Sequence, residues 1–211
     1  MRSKKRLSRW DTRRTNPLRH GNLKKQHYVS SMKLILTLLL LAAPAVADTM
    51  LIDDFSEGAE TRWRYVSDRV MGGVSDGGAS IGSEDGVTYA QLRGTVSTAN
   101  NGGFIQLRQD LQSRLPTDAT GITLRARGNG ATYYLHIRPD AARRPWQFYQ
   151  AAFETTPDWQ EITLPWSAFK PQGGLDATFT PADLRSVGIV AYGADYEASL
   201  DVDWIATAPR Q

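Results

Sequence analysis

Cysteine is absent from all 211 residues, which excludes disulfide staples, a thiol nucleophile, a thiolate zinc site and a lipid-bearing cysteine anchor. Histidine is nearly as scarce. Two of the three, His20 and His27, precede residue 48, so His136 stands alone in the bulk of the chain. A Ser-His-Asp triad would have to recruit that one residue, and a centre built from several histidines cannot be assembled there. Long helical periodicity is missing as well: after Asp48, apolar residues nowhere recur for long at the 3.6-residue period of a helix. The apolar stretch from Leu34 through Ala47 covers only 14 positions, short of the roughly 20 a helix needs to cross a bilayer, so no stable membrane anchor is expected.

That stretch has another reading. Met32-Lys33, an apolar run from Leu34 to Leu41, and small residues ending Ala45-Val46-Ala47 make a secretory signal peptide. The expectation is cleavage after Ala47 and a periplasmic or secreted product. A signal peptide normally opens a polypeptide, so residues 1–31, rich in Arg and Lys, are expected to be a spurious upstream extension from a misassigned start; the competing reading is a basic arm for nucleic acid or anionic lipid. The whole chain carries a formal charge of +3, but residues 1–47 hold 11 of the 25 Lys and Arg and only one of the 22 Asp and Glu. What remains has 14 basic against 21 acidic residues, a net −7, and no footprint for a phosphate backbone. The 164 residues from 48 to 211 suit one domain.

Short segments of period-two alternation, separated by Gly, Asn, Asp and Pro, fill that domain. In 121–127, Ile122, Leu124 and Ala126 face one way and Thr123, Arg125 and Arg127 the other. Gly128-Asn129-Gly130 then offers a turn, and Tyr133, Leu135 and Ile137 resume the alternation, which together predict a β-hairpin. Further strands are expected at 50–55, 87–94, 103–108, 146–153, 159–164, 187–192 and 199–205, with one helical turn at Pro181-Ala182-Asp183-Leu184. Nine or so strands favour an all-β sandwich or jelly roll over a single sheet, because a large sheet must cover its apolar face.

Two Gly-rich polar segments stand where strands should end: Ser67 to Ser75, and Asn100-Asn101-Gly102-Gly103-Phe104. Paired glycines let a ligand or a second chain come close. Asp68, Arg69, Asn100 and Asn101 could then offer carboxylate, guanidinium and amide groups from adjoining loops. Alternatively, Asp68 and Arg69 pair with each other and the amides bond local backbone, which fixes loop shape and nothing more. Neither segment ends in the Gly-Lys-Ser/Thr of a phosphate loop.

Those two segments, with Ile52-Asp53-Asp54-Phe55, Trp63, Gly121-Ile122, Arg125-Ala126-Arg127-Gly128, Tyr149-Gln150-Ala151, Phe153, Trp159-Gln160, Leu164-Pro165, Phe169 and Asp203-Trp204-Ile205, carry a family resemblance. In that order they resemble the NADH:ubiquinone oxidoreductase intermediate-associated protein 30 family, the complex I assembly-factor domain, over nearly all of residues 48–211. The resemblance implies a galactose-binding-like β-sandwich, a chaperone-like role in assembling a protein complex, and no catalytic residues. Such a sandwich also suits carbohydrate recognition.

Aromatic residues bear on that second possibility. Trp63, Trp146, Trp159, Trp166, Trp204 and several tyrosines could stack on sugars, though most should lie in the core. Trp204 alternates with Leu200 and Val202 and is expected to pack; Trp146, beside Arg143-Arg144-Pro145, is the better candidate for exposure. Tyr134, His136 and Arg138 share one strand's polar face, where a surface patch is conceivable. Asp53 and Asp54 should point to opposite faces, whereas Asp201 and Asp203 share one and could repel, bind a cation or face solvent. The expectation is a non-enzymatic, cofactor-free binding module with no metal centre. Its partners are proteins of an assembling complex, bound through Asp68, Arg69, Asn100 and Asn101, or, alternatively, glycans of the cell envelope, with Trp146 in contact.

Overall fold

The computed structural model describes residues 49–209; the expected leader, 32–47, and the upstream segment, 1–31, lie outside the described residues. Twelve strands follow in chain order: β1 (Leu51–Asp53), β2 (Trp63–Ser67), β3 (Asp76–Glu84), β4 (Val87–Val96), β5 (Phe104–Asp110), β6 (Gly121–Gly128), β7 (Thr132–Pro139), β8 (Phe148–Glu154), β9 (Gln160–Pro165), β10 (Lys170–Gln172), β11 (Leu184–Tyr192) and β12 (Tyr196–Ala208). They form two antiparallel sheets. The first runs β3-β4-β12-β6-β9, with β1 continuing the β4 edge of β12, and the second runs β10-β8-β7-β11-β5-β2.

Alternation explains why the sheets close on each other. Ile122, Leu124 and Ala126 of β6, with Ala198, Leu200 and Val202 of β12, are buried on one side of the first sheet. Tyr133, Leu135 and Ile137 of β7, with Ile105 and Leu107 of β5, are buried on one side of the second. The two sets belong to a single apolar core, as expected of a β-sandwich whose inner faces interdigitate. Tyr133 is fully buried, yet its hydroxyl donates to Asn129 Oδ1 and accepts from Ser199 N, each at 2.8 Å, so its polar tip costs little there.

Two expectations are corrected. The strands 121–128 and 132–139 do not form a hairpin: β6 pairs with β12 and β9, and β7 with β8 and β11. The chain crosses between sheets at Gly128-Asn129-Gly130, where Asn129 Nδ2 donates to Glu197 O at 2.7 Å. Both strands still turn their apolar residues to the shared interior, a pattern that alternation cannot distinguish from a hairpin. Trp204 does not continue the face of Leu200 and Val202, because the register shifts between Val202 and Trp204 and Ile205 takes the core position. The helical turn expected at Pro181 is present, as a 3-10 turn over Pro181–Asp183 with Thr180 and Asp183 capping it.

A buried carboxylate fastens the start of the domain. Asp53 accepts from Arg62 Nε and Nη2, both at 2.8 Å, from Trp63 Nε1 at 3.0 Å and from Phe55 N at 2.8 Å. Burial alone would raise its pKa, but these donors hold it below the usual carboxylate value. Asp54 points outward, as alternation requires, and accepts from Ser56 N. Among the described residues no helix is long and apolar enough to cross a membrane.

Candidate functional site

Asp68 opens a 3-10 turn, Asp68–Met71, directly after β2, and its side chain is completely buried. One oxygen accepts from Ser75 N at 3.0 Å; the other accepts from Ser75 Oγ at 2.5 Å, Gly103 N at 2.6 Å and Phe104 N at 3.2 Å. Burial by itself would push the carboxyl pKa up, and this set of donors outweighs it and keeps the group ionised. The two glycine-rich segments are therefore tied to one carboxylate. Gly73 and Gly102 are glycines for the same reason, since a Cβ at either position would overlap the Asp68 side chain.

Arg69 does not pair with Asp68. Its Nε donates to Ser75 O at 3.1 Å and its Nη2 lies 3.3 Å from Asp76 Oδ1 at the surface. Asn100 and Asn101 both adopt left-handed backbone, φ 57°, which asparagine tolerates better than most residues. Their place in the sequence is thus explained by the turn that returns the chain to β5. Of the four loop residues singled out in the sequence, Asn101 reaches a cavity and Asp68 shapes its wall from within.

The cavity is a groove of about 470 Å³ across the outer face of the second sheet, within the size range of small-ligand sites. Val66, Val70, Met71 and Asn101 line its β2 side, and Pro145, Trp146 and Phe148 line its β8 side. The floor is made by outward residues of the strands between: Gln106 and Arg108 of β5, Ser186 and Gly188 of β11, and His136 and Arg138 of β7. Gly188 pairs across the ladders with Arg108 on one side and His136 on the other, so the middle of the floor has no side chain. Trp146 is 54% exposed, and Arg144 lies over its ring at 5.5 Å. Trp146 and the Asp68-shaped loop thus stand on opposite walls of one groove.

Two nitrogens buried within the floor lack hydrogen-bond partners. His136 is 9% exposed, stacks on Phe148 with ring centroids 4.0 Å apart, and meets no hydrogen-bond partner at Nε2. Burial pushes its pKa down to about 3, so the imidazole is neutral near neutral pH. Arg108 also leaves a buried Nε without an acceptor. Arg138 donates from Nε to Gln147 O at 3.2 Å and from Nη2 to Arg144 O at 2.6 Å, contacts that hold the Trp146 loop. Burial, together with the nearby Arg108 and Arg185, lowers its pKa to about 10, which leaves it charged at neutral pH.

The outer face of the first sheet is different. Asp201 joins Arg93 and Arg127, Asp203 joins Arg125, and Arg127 also meets Glu84 at 2.8 Å. Trp159 lies against Arg125 and Arg127 at 5.1 and 4.6 Å. Asp201 and Asp203 therefore neither repel nor stand free for a cation, because each carboxylate has its own guanidinium. Among the described residues no group of three His, Cys, Asp or Glu side chains is placed to hold a metal ion.

Sequence reasoning identified Trp146 and the shared face of His136 and Arg138, but missed Val70, Met71, Gln106, Arg108 and Gly188. A signal for Gly188 exists: it is the one side-chain-free position inside the otherwise apolar run Val187 to Ala191.

No curated protein matches the chain. Among solved structures, the Family 11 Carbohydrate-Binding Module from Clostridium thermocellum, in complex with a beta-1,3-1,4-mixed-linked tetrasaccharide, superposes with a TM-score of 0.63 at 16% identity, over 76% of this chain and 95% of that one. The Family 11 module of the cellulosomal cellulase Lic26A-Cel5E of Clostridium thermocellum gives 0.65 at 15% identity, over 78% and 96%. A Family 30 Carbohydrate Binding Module gives 0.55 at 12%, over 78% and 89%. At these identities the likeness establishes a shared jelly-roll sandwich. Residues 54–202 match the model of the Complex I intermediate-associated protein 30 family, most of the chain and all of the groove, and the chain belongs to that family.

Proposed function

We propose that this chain is a non-catalytic module that lays a short stretch of glycan across the groove of the second sheet, with Trp146 as the stacking platform. The half-exposed indole beside an open floor carries the reading. A sugar ring presents C–H groups that pack on an aromatic face, and its hydroxyls would meet polar side chains that line the floor, Gln106 and Arg138 among them. The carbohydrate-binding modules that share the fold support it. Export through the leader at 32–47 is part of the same proposal and would bring the domain to envelope or extracellular polysaccharides. The test is titration with a panel of oligosaccharides, followed by tryptophan fluorescence and calorimetry. Binding that is lost in Trp146→Ala, with no sugar released by the purified chain, is the expected result; steady hydrolysis, or no binding across the panel, would contradict the proposal.

One observation favours a second reading, protein-complex assembly. Val70 and Met71, at the tip of the Asp68 turn, are 75% and 62% exposed, a small apolar prominence of the kind partner proteins cover. Under that reading Val70→Ser with Met71→Ser abolishes capture of a protein partner, whereas Trp146→Ala on the opposite wall leaves that capture unchanged.

A further inference from the structure

If the groove holds glycan, the chemistry of its floor narrows the sugar: we propose that it selects an acidic sugar residue, whose carboxylate is held by Arg138 and Arg108. This inference rests on the glycan reading and adds the charge of the ligand. Outside residues 1–47 the chain is acidic, yet none of the residues lining the groove is Asp or Glu, while two are Arg. Arg138 is half-buried and has no carboxylate within 4.0 Å among the described residues; the carbonyls of Gln147 and Arg144 orient it without neutralising it. Arg108 shares Asp110 with Arg64, at 3.3 and 3.0 Å, and keeps its buried Nε unused.

The strands that carry the two arginines flank β11, where the floor residues are the small Ser186 and Gly188. The floor between those strands is therefore low and open to a ligand. A guanidinium removed from water without a counter-charge is unfavourable, and a carboxylate supplies both the charge and the paired acceptors that its fork of N–H groups fits. The opposite face of the sandwich shows how this chain otherwise treats such groups: Arg93, Arg125 and Arg127 each meet an internal carboxylate. His136 remains neutral beside the floor and adds no repulsion to a sugar's hydroxyls.

The experiment is calorimetric titration of the full chain with oligomers of polygalacturonate and alginate, with fully methyl-esterified oligogalacturonate as their neutral counterpart, with mixed-linked β-glucan oligomers, and with sulfated carrageenan oligomers. Uronate oligomers should bind at least about tenfold tighter than the esterified and neutral ones and weaken several-fold between about 50 and 500 mM salt. Arg138→Gln and Arg108→Gln should each reduce uronate affinity about tenfold; the second variant matters because Arg138 also holds the Trp146 loop. Equal binding of neutral and uronate oligomers, indifferent to both substitutions, would overturn the acidic-sugar inference and leave the glycan reading standing. Binding of the sulfated oligomers alone would overturn the carboxylate assignment. Silence with every oligomer would remove the glycan reading and this inference with it.

Discussion

On the outer face of the first sheet, Arg93 and Arg127 converge on Asp201, Arg125 meets Asp203, and Trp159 lies beside two of the guanidiniums. On the outer face of the second sheet, Arg138 finds only backbone carbonyls, Arg108 has only a carboxylate it shares with Arg64, and Trp146 stands half in solvent. The two faces use the same vocabulary of arginine and aromatic rings. What separates them is whether the fold itself supplies the partners. A face whose charges are already matched has nothing further to gain from a ligand, whereas one with unmatched groups around an open floor does.

The comparison can be broken first at the groove wall. Replacing Asp68 with Ala leaves the buried N–H groups of Ser75, Gly103 and Phe104 without their acceptor, and should cost roughly 4 kcal/mol in urea unfolding. A loss below about 1 kcal/mol would mean that the carboxylate does not organise the two glycine-rich segments. Next comes the matched face: Asp201→Asn leaves Arg93 without a carboxylate while Arg127 keeps Glu84, and should cost about 2 kcal/mol, while ligand affinity at the groove is unchanged.

Acid sharpens the contrast from the groove side. His136 stays neutral in the folded chain down to about pH 3 but protonates near its ordinary 6.5 once unfolded. Stability is therefore full above about pH 6.5 and declines as pH falls from there toward 3, because the unfolded chain then binds the extra proton. At about 1.4 kcal/mol per pH unit, the loss from pH 6.5 to 4.5 approaches 2–3 kcal/mol, and His136→Phe should flatten that limb. Asp53 and Asp68, with lowered values, act in the opposite sense of ionisation: their contribution is present above the ordinary carboxylate pKa and is lost only at still lower pH. Unfolding curves measured between pH 4.5 and 6.5 thus isolate the histidine. The smallest effect belongs to Arg69→Ala, which removes an exposed pair with Asp76 and a hydrogen bond to Ser75 O and should change stability by no more than about 1 kcal/mol and groove affinity not at all.

Much of the architecture was legible because burial follows period two. β6, β7 and β12 show their inner residues to the eye, and Asp53 and Asp54 part to opposite sides as alternation demands. β3 was not legible: its Asp, Gly and Ser read as loop, and it is a strand only because β4 pairs along its length while its side chains remain mostly in solvent. The supposed hairpin at Gly128 to Gly130 failed for a related reason, since alternation fixes which way a strand faces but not which sheet it joins. At the site, Trp146, His136 and Arg138 could be placed by local pattern. Asp68 could not, because its partners Gly103 and Phe104 lie some 35 residues away and only the closed fold brings their N–H groups to it. Whether an arginine is matched is likewise a property of neighbouring strands: Arg125 and Arg138 look alike in sequence, and only one acquires an aspartate.

The central claim, that the unmatched face binds and the matched face does not, is tested most directly by titrating Trp146→Ala and Trp159→Ala side by side with the best-binding oligosaccharide. Loss of about tenfold or more in affinity for Trp146→Ala, with Trp159→Ala binding as the unaltered chain does, is the predicted result. Equal affinity in Trp146→Ala and the unaltered chain, or a loss confined to Trp159→Ala, would contradict it.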